Sequence, residues 1–99
     1  MGAGTHTVII ADDHPLFGVA LRMGVQRVAP QATVVEVGSF AELRVAARRH
    51  PDASLVLLDL MMPDVEGLSA LQFLHDELPA LRVAIVRARQ LALLPYAAD

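Results

Sequence analysis

The chain has 99 residues, of which 55% are hydrophobic and 19% are charged, and it contains no cysteine. This composition indicates one small globular domain and excludes a disordered tail, a disulfide scaffold and a membrane-spanning protein. All eight basic residues are arginine, which excludes mechanisms that need a lysine amine. Because the net charge is −3 and no basic stripe is present, we expect a cytoplasmic domain that contacts neither nucleic acid nor membrane.

The first strand and helix are predicted from residues 8–28. Residues 8–11 are a short apolar run that stops at Asp12 and Asp13, as expected of a buried parallel strand. Proline at position 15 suits a first helical turn. Apolar residues then recur at helical spacing and predict a helix over 15–28 with an apolar face made of Phe17, Leu21, Val25 and Val28.

The second strand and helix follow the same order. Residues 33–37 predict a strand, and Gly38 ends it. Ser39 and Glu42 have the spacing of a capping box, in which the hydroxyl and the carboxylate satisfy backbone N–H groups at a helix start. The second helix is predicted to run from this box to about His50.

The third and fourth strands complete the predicted sheet. Residues 55–58 are an apolar run that ends in an acid, Asp59, and this strand is predicted to be central. A loop over 61–67 precedes a helix whose apolar face comprises Leu68, Leu71, Leu74 and Leu78. Residues 83–86 predict the fourth strand. This alternation predicts an α/β fold: a parallel sheet with helices on both faces.

Three carboxylates follow the strand ends. In an open parallel sheet, ligands bind outside the carboxyl ends of the strands, and Asp12, Asp13 and Asp59 all fall there. If strands one and three are neighbours, these like charges converge and require a cation. Mg²⁺ is the expected one, because it prefers carboxylate oxygens together with water and phosphoryl oxygens. The same geometry suits attack by Asp59 on a phosphoryl group, which would give an aspartyl phosphate.

Two motifs resemble a known family. The residues Asp-Asp-His-Pro-Leu-Phe from position 12, and Asp-Leu-Met-Met-Pro-Asp from position 59 followed by Gly67 and Leu68, are similar to the receiver domain of two-component response regulators. The first motif is similar to receivers of the LuxR-type (NarL/FixJ) group. The resemblance covers residues 7–86 and implies a flavodoxin-like three-layer sandwich with strand order 2-1-3-4.

The resemblance implies a role for each matching residue. Asp59 matches the phospho-acceptor, which takes a phosphoryl group from a sensor histidine kinase. Asp13 matches the direct ligand of Mg²⁺, Asp12 matches the acid that holds the ion largely through water, and Met61 matches the residue that offers its backbone carbonyl. Pro63 and Gly67 match loop positions. The domain is then a signalling module rather than an enzyme, and a full-length relative would control a LuxR-type transcriptional output.

The chain also departs from the family pattern. Arg87 stands where the family has serine or threonine, the family's conserved lysine has no counterpart, and the last helix-strand-helix portion is absent from the sequence. We therefore predict an incomplete receiver domain over 1–86 and a non-family tail over 87–99. Arg87 is either an exposed residue or a partner of Asp59 that competes with Mg²⁺.

These departures leave the function open between three readings. Beside the phospho-acceptor, the chain could be a phosphorylation-deficient interaction module. A phosphohydrolase is disfavoured because it would need a substrate pocket and a lysine. An uncovered sheet face and an apolar fourth strand at the edge require cover. Either the tail folds back on its own chain through Leu91, Leu93, Leu94 and Tyr96, or two chains associate through the exposed face and exchange tails; we favour the homodimer. His14 is predicted to be a surface residue near a helix end rather than a ligand.

Overall fold

The structure, a computed structural model, describes residues 6–66 and 68–86. Strands and helices alternate along these residues, and their bounds differ by one residue at most from those predicted. In chain order the elements are β1 (Thr7–Ala11), α1 (Pro15–Val28), β2 (Thr33–Val37), α2 (Phe40–Arg49), β3 (Leu55–Asp59), α3 (Leu68–Glu77) and β4 (Arg82–Val86). The predicted tail lies outside the described residues, so the domain boundary after Val86 stays a prediction.

The four described strands form one parallel sheet in the order β2-β1-β3-β4. The predicted strand order is therefore confirmed, and β3 is central, next to β1. The register pairs Ala11 of β1 with Leu58 of β3. Because the two strands run in the same direction, the residues that follow this pair, Asp12 and Asp59, emerge side by side at the carboxyl edge of the sheet.

Side-chain capping fixes the start of α2. Ser39 Oγ accepts a hydrogen bond from the backbone N–H of Glu42 at 3.1 Å, as the capping box predicts. The Glu42 carboxylate accepts from the N–H of Gly38 at 3.0 Å, one residue earlier than the reciprocal bond of that motif. The carboxylate still satisfies a backbone donor at the helix start. The strand therefore ends and the helix begins at the residues that Gly38 and the capping residues predict.

Helices α2 and α3 cover one face of the sheet over β1 and β3. Alternate residues of β1 and β3 on this face pack against three alanines and two leucines of the helices, and all of them are buried: Ile9, Ala11, Val56, Leu58, Leu43, Ala46, Ala47, Ala70 and Leu74. The small alanine side chains allow close approach of the helices to the sheet. Phe40 and Phe73 join the two helices in an edge-to-face pair with ring centroids 5.7 Å apart.

Helix α1 covers the opposite face less completely. Gly18 is its one fully buried residue, and Arg22 forms an ion pair with Glu36 of β2. The predicted apolar face of this helix is only half-buried, and Val28 at its end is 87% exposed. Leu68, predicted to be a core residue, is likewise 80% exposed. Both residues stand at a helix end, and helical periodicity gives a side chain's direction without saying whether a neighbour lies there.

Candidate functional site

The carboxylates predicted to converge do so at the carboxyl edge of β1 and β3. Asp59 is fully buried at 0% exposure and Asp12 is 8% exposed, whereas Asp13 lies nearer the surface. One ligand atom from each of these three residues and from His14 lies within 4.8 Å of all the others. The predicted convergence required strands one and three to be neighbours. They are neighbours in the sheet, and the side chains therefore form a compact acidic cluster.

Backbone groups hold the two buried carboxylates in place. The N–H of Asp12 donates to the carbonyl of Val37 on β2 at 3.0 Å, which extends the strand pairing by one residue. Asp12 Oδ1 accepts from the N–H of His14 at 2.6 Å. Asp59 Oδ1 accepts from the N–H of Met61 at 2.8 Å. Each carboxylate is thus oriented through one oxygen by a turn that follows its strand.

The second oxygen of each buried carboxylate differs from the first in its hydrogen bonding. Asp12 Oδ2 and Asp59 Oδ2 are buried and accept no hydrogen bond from any described residue. Burying a charged group without a partner is costly, and two like charges at neighbouring strand ends add repulsion. A divalent cation would relieve both costs. The donor set of carboxylate oxygens fits Mg²⁺, a hard cation that takes oxygen ligands.

His14 belongs to this cluster, which the sequence analysis did not anticipate. It is the N-cap residue of α1 and its side chain is 47% exposed, as a surface position requires. However, its Nδ1 lies 3.2 Å from Asp12 Oδ1, 3.1 Å from Asp13 Oδ1 and 3.5 Å from Asp59 Oδ2. The hydrogen bond to Asp12, followed by the charges of the neighbouring acids, raises the pKa of His14. Its place directly after the acidic pair was the available sequence signal.

Comparison with known protein families identifies the family of this chain. The family model for the response regulator receiver domain matches residues 8–93. The chain belongs to this family. The matched range includes 87–93, the first part of the predicted tail, which lies outside the described residues. Receiver domains are signalling modules of response regulators, so the predicted family and fold are confirmed.

The curated proteins that resemble this chain are bacterial regulators. The chain is 38% identical over 85 residues to the glycerol metabolism activator of Pseudomonas putida, an alignment that covers 86% of this chain and 38% of that protein. It is 35% identical over 82 residues to the nitrate/nitrite response regulator protein NarL of Escherichia coli K12, with coverage of 80% and 36%. The chain thus spans less than two fifths of the length of these relatives.

Solved structures of response regulators share the fold. A LuxR-family two-component response regulator from Aurantimonas sp. SI85-9A1 superposes with a TM-score of 0.70 at 25% identity, covering 96% of this chain and 69% of that one. A structure of two RcsB dimers bound to two parallel DNAs superposes with a TM-score of 0.67 at 24% identity, covering 82% and 44%. The similarity to LuxR-type regulators agrees with the resemblance carried by the two sequence motifs.

The loop after Asp59 is tied to α2 by a residue that the sequence analysis did not single out. Asp64 accepts hydrogen bonds from the N–H groups of Phe40 at 2.8 Å and Ala41 at 3.1 Å. These bonds, that from Phe40 foremost, lower the pKa of Asp64. The carboxylate therefore caps α2 from a distance in sequence, which no local pattern reveals.

Of the remaining residues predicted for the site or its surroundings, the structure describes Met61 but not Gly67 or Arg87. Met61 donates its N–H to Asp59, and its side chain is half-exposed, which agrees with a role for its backbone alone. Gly67 and Arg87 lie outside the described residues, so the loop role of the former and the pairing of the latter with Asp59 stay predictions. No helix in the described ranges is long and apolar enough to cross a membrane.

Proposed function

We propose that this receiver domain accepts a phosphoryl group from a sensor histidine kinase on Asp59, with Mg²⁺ as its cation. As part of a longer protein it would control a LuxR-type transcriptional output, in the cytoplasm, as a signalling module rather than an enzyme. The observation that carries the proposal is a pair of buried carboxylate oxygens, Asp12 Oδ2 and Asp59 Oδ2, at the adjacent ends of β1 and β3; neither accepts a hydrogen bond from any residue that the structure describes.

The cation would be held by the carboxylates of Asp12, Asp13 and Asp59 and by the backbone carbonyl of Met61. Mg²⁺ in such a site neutralises charge on phosphoryl oxygens during transfer. Asp13 is partly exposed, with 30% of its side chain accessible, so it can exchange water for an ion without rearrangement of the core. Asp12 sits deeper, where one oxygen accepts the backbone N–H of His14 and the other is buried and accepts no hydrogen bond from any described residue.

Asp59 is the proposed nucleophile. The N–H of Met61 occupies Oδ1 and orients the carboxylate, which leaves the lone pairs of Oδ2 for attack on phosphorus. A bond forms between the carboxylate oxygen and phosphorus as the bond from phosphorus to the donor imidazole nitrogen breaks, and that nitrogen takes up a proton. Because Asp59 is fully buried, the groups that cover it, including the His14 ring 3.5 Å from Oδ2, must shift to admit the donor.

Intact mass spectrometry tests this chemistry. The chain is incubated with a small acyl phosphate and Mg²⁺, alongside Asp59→Asn, a chelated sample and Asp52→Asn, a matched change at an exposed acid. We expect a gain of one phosphoryl group in the wild type and in Asp52→Asn, and none in Asp59→Asn or without the ion. A folded wild type that gains no phosphoryl group, or an Asp59→Asn variant that still gains one, contradicts the proposal.

A homodimer is the second part of the proposal. The exposed apolar side chains of α1, among them Met23 and Val28, and the edge strand β4, whose Ile85 is 43% exposed, are apolar surfaces that association would bury. RcsB, which shares the fold, forms dimers on DNA. If phosphorylation fails in a folded sample, these surfaces favour the alternative function of a dimerising interaction module. Sedimentation velocity over a range of concentrations distinguishes a dimer from a monomer of constant mass.

A further inference from the structure

The turn between β3 and α3 is fastened to the domain by a side chain in the core and by a carboxylate at the surface. Met62 is buried at 2% exposure, and its carbonyl accepts the N–H of Val65 at 3.1 Å, which closes the turn. Asp64 lies in this turn and accepts the N–H of Phe40 through Oδ1 at 2.8 Å and the N–H of Ala41 through Oδ2 at 3.1 Å. Both oxygens of one carboxylate therefore join the turn to the start of α2.

The start of α2 is capped by two separate segments of the chain. The N–H groups of its first two residues donate to Asp64. The N–H of its third residue, Glu42, donates to Ser39 Oγ. N–H groups in the first turn of a helix have no partner within the helix, so each of these bonds satisfies a donor that the helix leaves free. Loss of Ser39 or of Asp64 would remove part of the cap, but only loss of Asp64 would also release the turn.

Helix α2 is the fixed side of this link. Its residues Leu43, Ala46 and Ala47 are buried in the core against the sheet. In the turn, by contrast, the residues at positions 61, 63, 64 and 66 are exposed, so packing restrains them little. The two hydrogen bonds of Asp64 therefore hold the turn in place against the helix.

We propose that Asp64 is a positioning residue for the acid site and acts through the backbone of Met61. Met61 directly precedes the turn, and its N–H donates to Asp59 Oδ1 at 2.8 Å. A displaced turn would move this N–H and change the orientation of the buried carboxylate. The carbonyl of Met61 would move as well, and here the inference rests on the proposed function, which assigns that carbonyl to the cation. Asp64 itself lies outside the cluster of acidic ligand atoms.

Four variants are compared with the wild type in calorimetric titrations of the intact chain with Mg²⁺. Asp64→Ala removes both hydrogen bonds, and Asp64→Asn keeps one oxygen that can accept. Ser39→Ala removes the other cap of the same helix, and Glu66→Gln removes an exposed charge from the segment before α3. We expect Asp64→Ala to weaken binding about tenfold, the low end of the loss caused by removing a group that orients metal ligands, and Asp64→Asn to recover part of it. Ser39→Ala and Glu66→Gln should change the affinity less than about twofold.

The amide proton of Met61 separates positioning from loss of charge or of helix stability. In nuclear magnetic resonance spectra of the metal-free wild type, its hydrogen bond to a carboxylate should shift the signal downfield and slow exchange with solvent. We expect exchange to become about tenfold faster in Asp64→Ala and to stay unchanged in Ser39→Ala and Glu66→Gln. Circular dichroism verifies that each variant is folded. The inference is overturned by an unchanged Met61 amide in Asp64→Ala, by unchanged Mg²⁺ affinity in that variant, or by an equal loss of affinity in either control.

The outcomes also distinguish this inference from the proposed function. If the wild type takes a phosphoryl group on Asp59 and Asp64→Ala matches it in both measurements, the positioning role alone is refuted. If the wild type takes no phosphoryl group, while Asp64→Ala still weakens Mg²⁺ binding and frees the Met61 amide, the acceptor alone is refuted. A wild type that binds no Mg²⁺ refutes the proposed metal site, and the Met61 amide then decides the positioning role by itself.

Discussion

The two faces of the sheet differ in how completely helices cover them. On the face under α2 and α3, leucines and alanines from helices and strands are buried together. On the face under α1, the strand residues Val8 and Ile10 are buried, but the helix contributes Gly18 alone as a fully buried residue. By strand alternation, Asp12 and Asp59 belong to the face of Val8 and Ile10. Stability is therefore concentrated on one face, and the charged groups lie toward the other.

The largest expected effect comes from breaking the closed face. Leu43→Ala removes a fully buried side chain between α2 and the sheet and should cost about 2–5 kcal/mol of unfolding free energy. Leu21→Ala, at a half-buried position of α1, should cost less than about 2 kcal/mol. Urea unfolding followed by far-ultraviolet circular dichroism measures both. Equal losses of unfolding free energy would show that the two faces contribute equally to stability.

A gain in stability is expected from neutralising the buried acid cluster. In metal-free buffer, Asp59→Asn removes a buried charge next to Asp12 and keeps an oxygen that accepts the N–H of Met61. We expect stabilisation by about 1–3 kcal/mol. The same substitution should abolish stabilisation by added Mg²⁺ in thermal unfolding. Asp52→Asn, at an exposed acid, serves as control, and destabilisation by Asp59→Asn would contradict the expected repulsion.

A smaller gain is expected on the solvent side of α1. Gly24 has no atom within 4 Å of the position that a Cβ would take, so Gly24→Ala should stabilise the helix by about 0.5–1 kcal/mol. In Gly18→Ala the added Cβ would lie 3.2 Å from Glu36 Oε1, and the carboxylate must yield. Chemical unfolding of the two variants should therefore rank Gly24→Ala as the more stable. The reverse ranking would contradict the close contact between a Cβ at position 18 and Glu36.

The smallest expected effect concerns the exposed link between the loop after Asp59 and α2. Hydrogen bonds from the N–H groups of Phe40 and Ala41 lower the pKa of Asp64 below its ordinary 3.8. A lowered folded-state pKa stabilises the protein above the unfolded-state value, and this contribution disappears as pH falls through the folded-state value. The difference in unfolding free energy between wild type and Asp64→Ala should be constant near neutral pH and shrink below about pH 4. A difference that grows on acidification would contradict this sign.

Much of the site could be predicted because its acids end apolar runs. Asp12, Asp13 and Asp59 each follow a strand whose composition marks it as buried, and parallel strands bring such ends to one edge. His14 was harder to assign, since a histidine at a helix start has no partner spacing that distinguishes a ligand from a surface residue. Asp64 could not be assigned at all, because it caps a helix that begins 24 residues earlier in the chain.

The sequence alone determined the order and bounds of strands and helices, since apolar periodicity, proline and capping residues act over a few neighbouring positions. Tertiary structure decided which predicted apolar positions are covered: Leu74 is buried, while Val28 and Leu68 at helix ends are exposed. It also decided that two buried carboxylate oxygens accept no hydrogen bond from any described residue and that one imidazole lies in the same cluster. These properties depend on distances between separate strands and turns, which the packing of the sheet sets and local sequence does not encode.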